Sequence, residues 1–335
     1  MAENNSPAPS IEDQQRLEQI FHPEAIRQRE KIGFSKDGDV IRLVHYTSAD
    51  AAMKIIQNKS MWMRNATCMS DFLEVQHGFG MLSSFFNSPE NSAASKAFTD
   101  ALDNCHAGIS PRVIEMVNNW ANFFRYDTYI TSISEHHTSE DEHGRLSMWR
   151  AYGGSCGVAI VFKVPYSAAD VYKLGLTFSP VAYLSEARAH EILREITSNV
   201  VKNVELLKSM DPNSVASRAA FSLIVGAICC KHPGFAEELE WRMIYMPTFY
   251  RPTAEQSNLM KPLIETIRGV PQFVYPIPLN GEGGLADLKF AGLFDGLIIG
   301  PTQYPLAMDR AFRKALLDAG CESPKIRQSM IPLRT

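Results

Sequence analysis

The sequence has 335 residues, of which 45% are hydrophobic, and a formal net charge of -4. Such a chain can bury a sizeable core, as ordinary globular proteins do. Its small negative charge does not provide the broad basic field that attracts nucleic acids to their binding proteins.

The cysteine pattern and the first ten residues favour a reducing compartment over secretion. The six cysteines include no C-x-x-C pair, which argues against a disulfide framework and fits a reducing environment. Met1–Ser10 is polar and lacks the basic start and apolar centre of a signal peptide. The longest apolar run, Ala219–Cys230, is about half as long as a membrane span. We therefore expect a cytoplasmic protein that does not enter a membrane.

We expect residues 1–35 to form a disordered start and an N-terminal helix that breaks near Pro23, because proline cannot continue a helix. Residues 36–335 are predicted to form a single domain with helical insertions near residues 90–126 and 185–230. The predicted strands are Val40–Tyr46, Ser60–Arg64, Tyr129–Ser134, Cys156–Val164, Thr177–Leu184, one containing Glu238, Phe273–Tyr275, Gly296–Ile299 and Lys325–Ile331. The predicted helices are Ala49–Gln57, one that opens at Asp71, two within Ala93–Tyr126, Leu146–Tyr152, most of Ser185–Cys230 with a break at Asp211-Pro212, and Tyr304–Ala319. Helices and strands mix without a regular βαβ alternation, which predicts an α+β fold with a mixed, mainly antiparallel sheet surrounded by helices.

The stretch Lys231–Tyr245 carries the most informative pattern. After a turn at His232-Pro233-Gly234, charged and apolar residues alternate, as in a strand whose successive side chains point to opposite faces. One face would carry Glu238, Glu240 and Arg242. Two carboxylates about 7 Å apart on one face repel each other unless a cation or a function compensates for the repulsion. The pattern therefore indicates either a functional site or a half-solvated strand edge.

Two further segments have the side chains of a binding site. His45, Tyr46 and Thr47 end a predicted strand and lead into a helix cap, where free backbone N–H groups suit a phosphate. The alternative is a core histidine beside an ordinary cap. Trp149, Arg150 and Tyr152 could hold a planar ring or an anion. The alternative there is a tryptophan packed in the core with Arg150 at the surface.

A polar loop, Glu135–Arg145, contains His136, His137 and His143 among carboxylates. These residue types bind metals, but their spacing matches no metal motif, so we favour a solvated loop or lid and predict no metal site. The standard phosphate-loop, dinucleotide, serine-hydrolase and zinc-protease motifs are missing from the sequence.

Taken together, these segments resemble the bacterial Domain of Unknown Function 2971 family. The resemblance runs from about Val40 to the end of the chain. It rests on His45–Ser48, Ser70-Asp71 with Glu74, Ser147–Gly153, Gly157–Phe162, His232–Arg242, Leu297–Pro301 and Ser329–Arg334. The pattern departs from the family at Ser70, where asparagine is expected, and at Leu297, where isoleucine is expected.

The motif order is also remotely similar to that of ADP-ribosyltransferases, which have a strand-borne histidine or arginine and a later catalytic glutamate, often in an E-x-E. This likeness implies a split sheet and NAD as substrate. It also implies that Glu240 stabilises a cationic ribose and that Glu238 positions the acceptor. His45, Tyr46 and Thr47 would line the adenosine side, Arg150 would pair with the pyrophosphate, and Trp149 or Tyr152 would flank nicotinamide.

The leading hypothesis is therefore an NAD-dependent ADP-ribosyltransferase or NAD glycohydrolase, as in a toxin or a phage-defence effector. Its acceptor would be a protein, a nucleic acid, a small molecule or water, and an antitoxin or neighbouring-gene product would be its partner. The alternatives are a non-enzymatic binding or regulatory module and a hydrolase that uses a metal on the histidine loop.

Overall fold

The computed structural model describes residues 11–36, 38–69, 72–166, 171, 173–250 and 253–332. The predicted disordered start, Met1–Ser10, and Asp71, which was predicted to open a helix, lie outside these residues.

The described helices are α1 Ile11–Phe21, α2 Pro23–Lys31, α3 Ala49–Asn58, α4 Phe72–Asn87, α5 Ser92–Cys105, α6 Ile109–Asp127, α7 Leu146–Met148, α8 Glu186–Lys202, α9 Val204–Ser209, α10 Pro212–Ile228, α11 Pro247–Tyr250, α12 Ala254–Leu259, α13 Phe290–Leu293 and α14 Pro305–Asp318. The described strands are β1 Val40–Ser48, β2 Ser60–Asn65, β3 Tyr129–Glu135, β4 Gly157–Pro165, β5 Thr177–Pro180, β6 Ala182–Tyr183, β7 Cys230–Lys231, β8 Glu240–Tyr245, β9 Leu263–Ile267, β10 Val270–Pro278, β11 Phe294–Ile299 and β12 Ile326–Gln328.

The chain divides into two compact units, each assembled from three stretches of sequence. Of the described residues, the helical unit contains 11–30, 72–125 and 181–235, and the sheet unit contains 31–69, 126–180 and 236–332. The helices predicted near 90–126 and 185–230 lie in the helical unit. That residues 36–335 form a single domain stays a prediction.

The helical unit is held by a cluster of buried side chains that includes Leu17 of α1, Phe85 of α4 and Val200 of α8. Helices α4 and α10 approach closely, because a Cβ added at Gly78 would lie 2.0 Å from the carbonyl oxygen of Ala227. Only glycine leaves room for this contact.

Local capping signals start two helices where the sequence predicts them. The Ser48 hydroxyl accepts a hydrogen bond from the Ala51 amide (3.2 Å) at the start of α3. The Asp211 carboxylate accepts one from the Ser214 amide (2.9 Å) at the start of α10, whose first residue is Pro212. Both caps satisfy amides that have no partner inside the helix.

The sheet unit is organised by one sheet whose main path runs β12-β11-β4-β1-β3-β2-β10-β9, with β8 pairing β3 and β5 off this path. Its described strand pairs are antiparallel apart from β11 with β12. Strand β4 lies inside the sheet and is buried on both faces over its first six residues, which explains its continuous apolar sequence. The α+β class and the mixed, mainly antiparallel sheet are thus confirmed.

The sheet divides at β3. Strand β1 pairs with the end of β3, through Val44 and Ser134, while β2 pairs with its beginning, through Asn65 and Tyr129. The whole of strand β8 pairs with β3. The strands β1 and β2 therefore diverge beside the middle of β3, which opens a gap in the ladder near Ser132.

Three strand predictions need correction. The predicted strand Thr177–Leu184 is two strands, β5 and β6, which belong to different sheets, because Pro180 cannot continue a ladder. Strand β9 was missed, since its side chains do not alternate between buried and exposed. The strand predicted to contain Glu238 begins only at Glu240. Among the helices described, none combines the length and apolar character needed to cross a membrane.

Candidate functional site

Strands β3, β5 and β8 place a polar cluster inside the sheet unit. Glu240 lies opposite Ser134, and Arg242 lies opposite both Ser132 and Ser179. Residues opposite each other in a ladder share a face, so these five side chains are neighbours on one face. Four of them are buried, and Ser132 is half-buried. We call these five residues the buried cluster.

Glu240 and Arg242 form the ion pair of the buried cluster. The arginine donates from Nε to Oε1 of Glu240 (2.8 Å) and from Nη2 to Oε2 (3.2 Å), and the Ser132 hydroxyl also donates to Oε1. The two side chains are only 1% and 4% exposed. Both carboxylate oxygens are therefore occupied and shielded from water, and the alternative of a half-solvated edge is wrong.

Glu238 does not share a strand face with Glu240, which corrects the predicted alternation. It ends a 3-10 helix, Pro233–Glu238, and Leu239 then takes a left-handed conformation with φ 45° before β8 begins. Such a conformation is costly for a leucine and is kept only when surrounding contacts impose it. The side chain of Glu238 is half-buried, and the Tyr152 hydroxyl donates to its Oε1 over 3.4 Å.

Arg145 imposes that turn. Its guanidinium donates to the carbonyl oxygens of Glu237 (2.7 Å), Glu238 (3.1 Å) and Glu135 (2.9 Å). It also makes a bidentate pair with Glu140, at 2.7 and 3.0 Å. The planar arginine thus ties the turn before β8 to the end of β3, and it fixes the backbone of Glu238.

The histidine loop between β3 and α7 is exposed in part and fixed in part. His136 is buried and its Nε2 lies 2.9 Å from Asp141, while burial, the largest influence, lowers its pKa. The His143 carbonyl accepts from the Trp149 indole (2.7 Å) and from the Ser329 hydroxyl (2.7 Å). The expectation of a solvated loop agrees with the exposure of His137, Glu142 and His143, whereas buried His136 and these contacts fix the loop within the sheet unit. Within the described residues no group of three or more His, Cys, Asp or Glu side chains is arranged to hold a metal.

His45 lies in the gap where β1 leaves β3. Its Nδ1 is 3.0 Å from the carbonyl oxygen of Ser132. A carbonyl only accepts, so Nδ1 carries the proton and Nε2 keeps a lone pair while the ring is neutral. Burial lowers the pKa of His45, with the Ser132 bond opposing it, so the ring is neutral near pH 7. His45 therefore offers a hydrogen-bond acceptor, not a positive charge.

Tyr46 and Trp149 are core residues. Their rings meet edge to face, with centroids 4.8 Å apart, and both are buried. The Tyr46 hydroxyl accepts from the Arg145 amide (2.8 Å), and burial raises its pKa to about 12. A Cβ at Gly144 or at Gly300 would lie 2.7 or 2.8 Å from the Trp149 ring, so the indole has no face open to a ligand.

Two sequence-predicted residues lie near the surface of the same unit. Arg150 is exposed, as in the alternative that keeps Trp149 in the core, and it has no polar partner within the described residues. Thr47 is half-buried and pairs with Val158 on β4. The amides of Ala49 and Ala51 at the start of α3 already donate hydrogen bonds. Fewer N–H donors are therefore free for a phosphate than the sequence predicts.

The structure thus pairs Glu240 with Arg242 and places Glu238 near the Tyr152 hydroxyl. Tyr46 and Trp149 pack against each other in the core of the sheet unit. Sequence reasoning missed Ser132, Ser134 and Arg145. The two serines lie two apart in β3 and so share a face, but polar Thr131 and Glu135 beside them hide any alternation. Arg145 pairs with nearby Glu140, but no local pattern marks its contacts with Glu237 and Glu238, which are far away in the sequence. Ser70 and Asp71 lie outside the described residues, as does the side chain of Glu74.

Comparison with known proteins identifies one family. The family described as Protein of unknown function (DUF2971) matches residues 148–243, so the resemblance is confirmed over this segment. The comparisons with curated proteins and with solved structures returned no significant match. The likeness to ADP-ribosyltransferases gains no support from these comparisons.

Proposed function

We propose that the chain is an NAD-using enzyme, an ADP-ribosyltransferase or an NAD glycohydrolase, whose reactive carboxylate is Glu238. The observation that carries this proposal is a half-buried carboxylate that lies 3.4 Å from a tyrosine hydroxyl, on a backbone that Arg145 fixes. Glu240, the residue first considered for this role, has both oxygens occupied by Arg242 and Ser132.

The chemistry suits such a carboxylate. Cleavage of the bond between nicotinamide and ribose builds positive charge on the ribose ring, as glycoside cleavage does. A preorganised carboxylate stabilises this charge more in the transition state than in the ground state. Glu238 would supply that stabilisation, and Glu240 would hold the base of the turn in place through Arg242.

Other residues of the sheet unit would bind the rest of the substrate. The neutral Nε2 of His45 suits a ribose hydroxyl, which can donate to it. The exposed guanidinium of Arg150 suits a pyrophosphate. Tyr152 would stand beside nicotinamide, while Tyr46 and Trp149 support the site from the core. The acceptor would be a protein, a nucleic acid, a small molecule or water, and a cytoplasmic toxin or phage-defence effector with an antitoxin partner is the setting we propose.

Incubation of the purified protein with NAD, followed by chromatography of released nicotinamide, tests the proposal. We expect release by the wild type and by Glu237→Gln, whose side chain is exposed, and a loss of about 100-fold or more in Glu238→Gln. Equal release from Glu238→Gln and the wild type would contradict the assignment of this residue.

A second candidate is a non-enzymatic binding or regulatory module. It is favoured by the burial of the Glu240–Arg242 pair, which has the character of a structural ion pair. Thermal denaturation separates the two candidates, because NAD at about 100 times its Kd would add about 2.7 kcal/mol of stability. No nicotinamide release together with no stabilisation by NAD would favour the binding module.

A further inference from the structure

A basic pocket lies on the sheet unit, away from Glu238. It is an open depression with a cavity volume of about 50 Å³. Its lining comprises Arg42, Asp141, Asp295, Lys325 and Arg327, together with Val161 and residues 296–298. These residues lie on β1, β4, β11 and β12, directly before β12, and on the histidine loop.

Arg42 is the fixed centre of the basic pocket. Its Nε donates to Asp295 and its Nη2 to Asp141, both at 2.7 Å, and its side chain is 25% exposed. Burial opposes the charge of Arg42, but the two carboxylates outweigh it and raise its pKa. The guanidinium is therefore charged and held in one orientation, with its Nη1 bonded to nothing in the described chain.

A β-bulge sets the orientation of the Asp295 side chain. The pairing of β11 with β4 shifts between Phe294 and Gly296, so Asp295 is an extra residue in the ladder. Such bulges redirect side chains and are frequent beside functional sites. Here the bulge sets the carboxylate between Arg42 and Lys163, whose ammonium lies 2.8 Å from it.

The cations outnumber the carboxylates at this place. Of the lining residues, Arg42, Lys325 and Arg327 are positive and Asp141 and Asp295 are negative, an excess of one positive charge. Lys163, which pairs with Asp295 beside the depression, raises the local excess to two. Burial acts to raise the pKa of both carboxyl groups, but hydrogen bonds and nearby positive charges lower it by more. The net shift is downward, so both groups are ionised near pH 7.

Cationic side chains around the depression keep hydrogen-bond donors that an anion could use. Arg327 contacts Asp141 only through Nη1, at 3.3 Å to its carbonyl and 3.6 Å to its carboxylate. Lys325 is exposed and has no ion-pair partner within the described residues. An anion in the pocket would therefore meet the fixed guanidinium of Arg42 on β1 and the exposed cations of Lys325 and Arg327 at β12.

We propose that the basic pocket binds a phosphate group. A phosphate or phosphomonoester carries a charge close to -2 at neutral pH, which matches the local excess, and several acceptor oxygens for the free donors. A carboxylate would leave one positive charge and some of these donors unsatisfied. The proposal does not depend on the NAD chemistry proposed above, since it concerns other residues and a simpler ligand.

Isothermal titration calorimetry of the full chain with inorganic phosphate tests this, with ionic strength held constant by sodium chloride. We expect saturable binding that is tighter than that of acetate. Lys325→Ala and Arg327→Ala should each weaken phosphate binding by about tenfold, because each removes a charged contact. Both side chains are exposed, so both variants should fold like the wild type.

Arg310→Ala is the matched control. Arg310 is an exposed cation on α14 without an ion-pair partner in the described chain, and its removal should leave phosphate binding unchanged. Phenyl phosphate tests the source of the group, since tighter binding than inorganic phosphate would indicate a larger phosphorylated ligand and equal binding the free ion. No saturable binding, equal affinity for acetate, or undiminished binding in both variants would overturn the proposal.

Discussion

Replacing Glu240 by glutamine should destabilise the protein strongly, whatever its effect on activity. The change removes a charge that pairs with Arg242, whose side chain is 1% exposed. Glutamine keeps one acceptor oxygen, but its amide nitrogen turns donors toward a guanidinium that has only donors. Breaking a buried ion pair from one side typically costs about 3 to 5 kcal/mol. We expect about 3 kcal/mol here, a large part of the stability of an ordinary domain.

A double-mutant cycle measures this cost. Urea denaturation of Glu240→Gln, Arg242→Met and the double variant gives the free energy of unfolding of each, with Glu237→Gln as an exposed control. The double variant should be more stable than the sum of the single effects predicts, by at least about 1 kcal/mol, because it leaves no buried charge alone. A Glu240→Gln loss below about 0.5 kcal/mol, or strict additivity, would refute the reasoning.

This prediction determines how activity should be tested. Loss of nicotinamide release in Glu240→Gln would combine a large change in stability with any change in catalysis, so it would not identify a catalytic residue. Glu238→Gln removes a half-buried carboxylate near the Tyr152 hydroxyl, and its folding is checked by urea denaturation beside the wild type. A fall in release from a folded Glu238→Gln protein therefore carries the mechanistic information.

Three further predictions concern stability. Gly78→Ala should destabilise the protein by about 1 to 3 kcal/mol in thermal denaturation, because its Cβ would lie 2.0 Å from a backbone carbonyl of α10. Gly80→Ala on the same helix meets no atom and should stabilise the protein by up to about 1 kcal/mol. Equal effects of the two variants would contradict the close packing at Gly78. Burial lowers the pKa of His22 from 6.5 to about 4, so its contribution is complete above about pH 6.5 and is lost as the pH falls toward 4, about 3 kcal/mol in all. Urea titrations at several pH values should show this loss in the wild type and a smaller one in His22→Gln. Arg145→Lys should lower the melting temperature clearly, since lysine cannot make the bidentate pair and three carbonyl bonds, whereas Arg150→Lys should leave it unchanged.

Local patterns predicted the elements of the fold where a local cause forms them. The caps at Ser48 and Asp211 and the apolar strands β1 and β4 follow from residues close in sequence. The start of β8 does not, because the left-handed Leu239 is imposed by Arg145, which lies in another part of the chain. A smooth alternation from Glu238 onward was the natural expectation without that contact.

The candidate site shows the same limit. The sequence singled out Glu238, Glu240 and Arg242, but not which carboxylate is buried, because burial depends on the strands that pair with β8. Ser132 supplies a hydroxyl to Glu240 and a carbonyl to His45, and both contacts arise from sheet topology. The division of the sheet at β3 creates the gap for His45, and no local pattern marks such a division.

The motifs that carry the family resemblance describe packing more than chemistry. Gly300 of the late motif makes room for the Trp149 ring of the central motif, and Tyr46 of the early motif packs against the same ring. Packing around one buried tryptophan therefore accounts for residues of these three motifs without any ligand. Within the motifs, Glu238 and Arg150 are less buried than Tyr46 and Trp149. A search for function should therefore begin with Glu238, because substitution of the buried motif residues would first change stability.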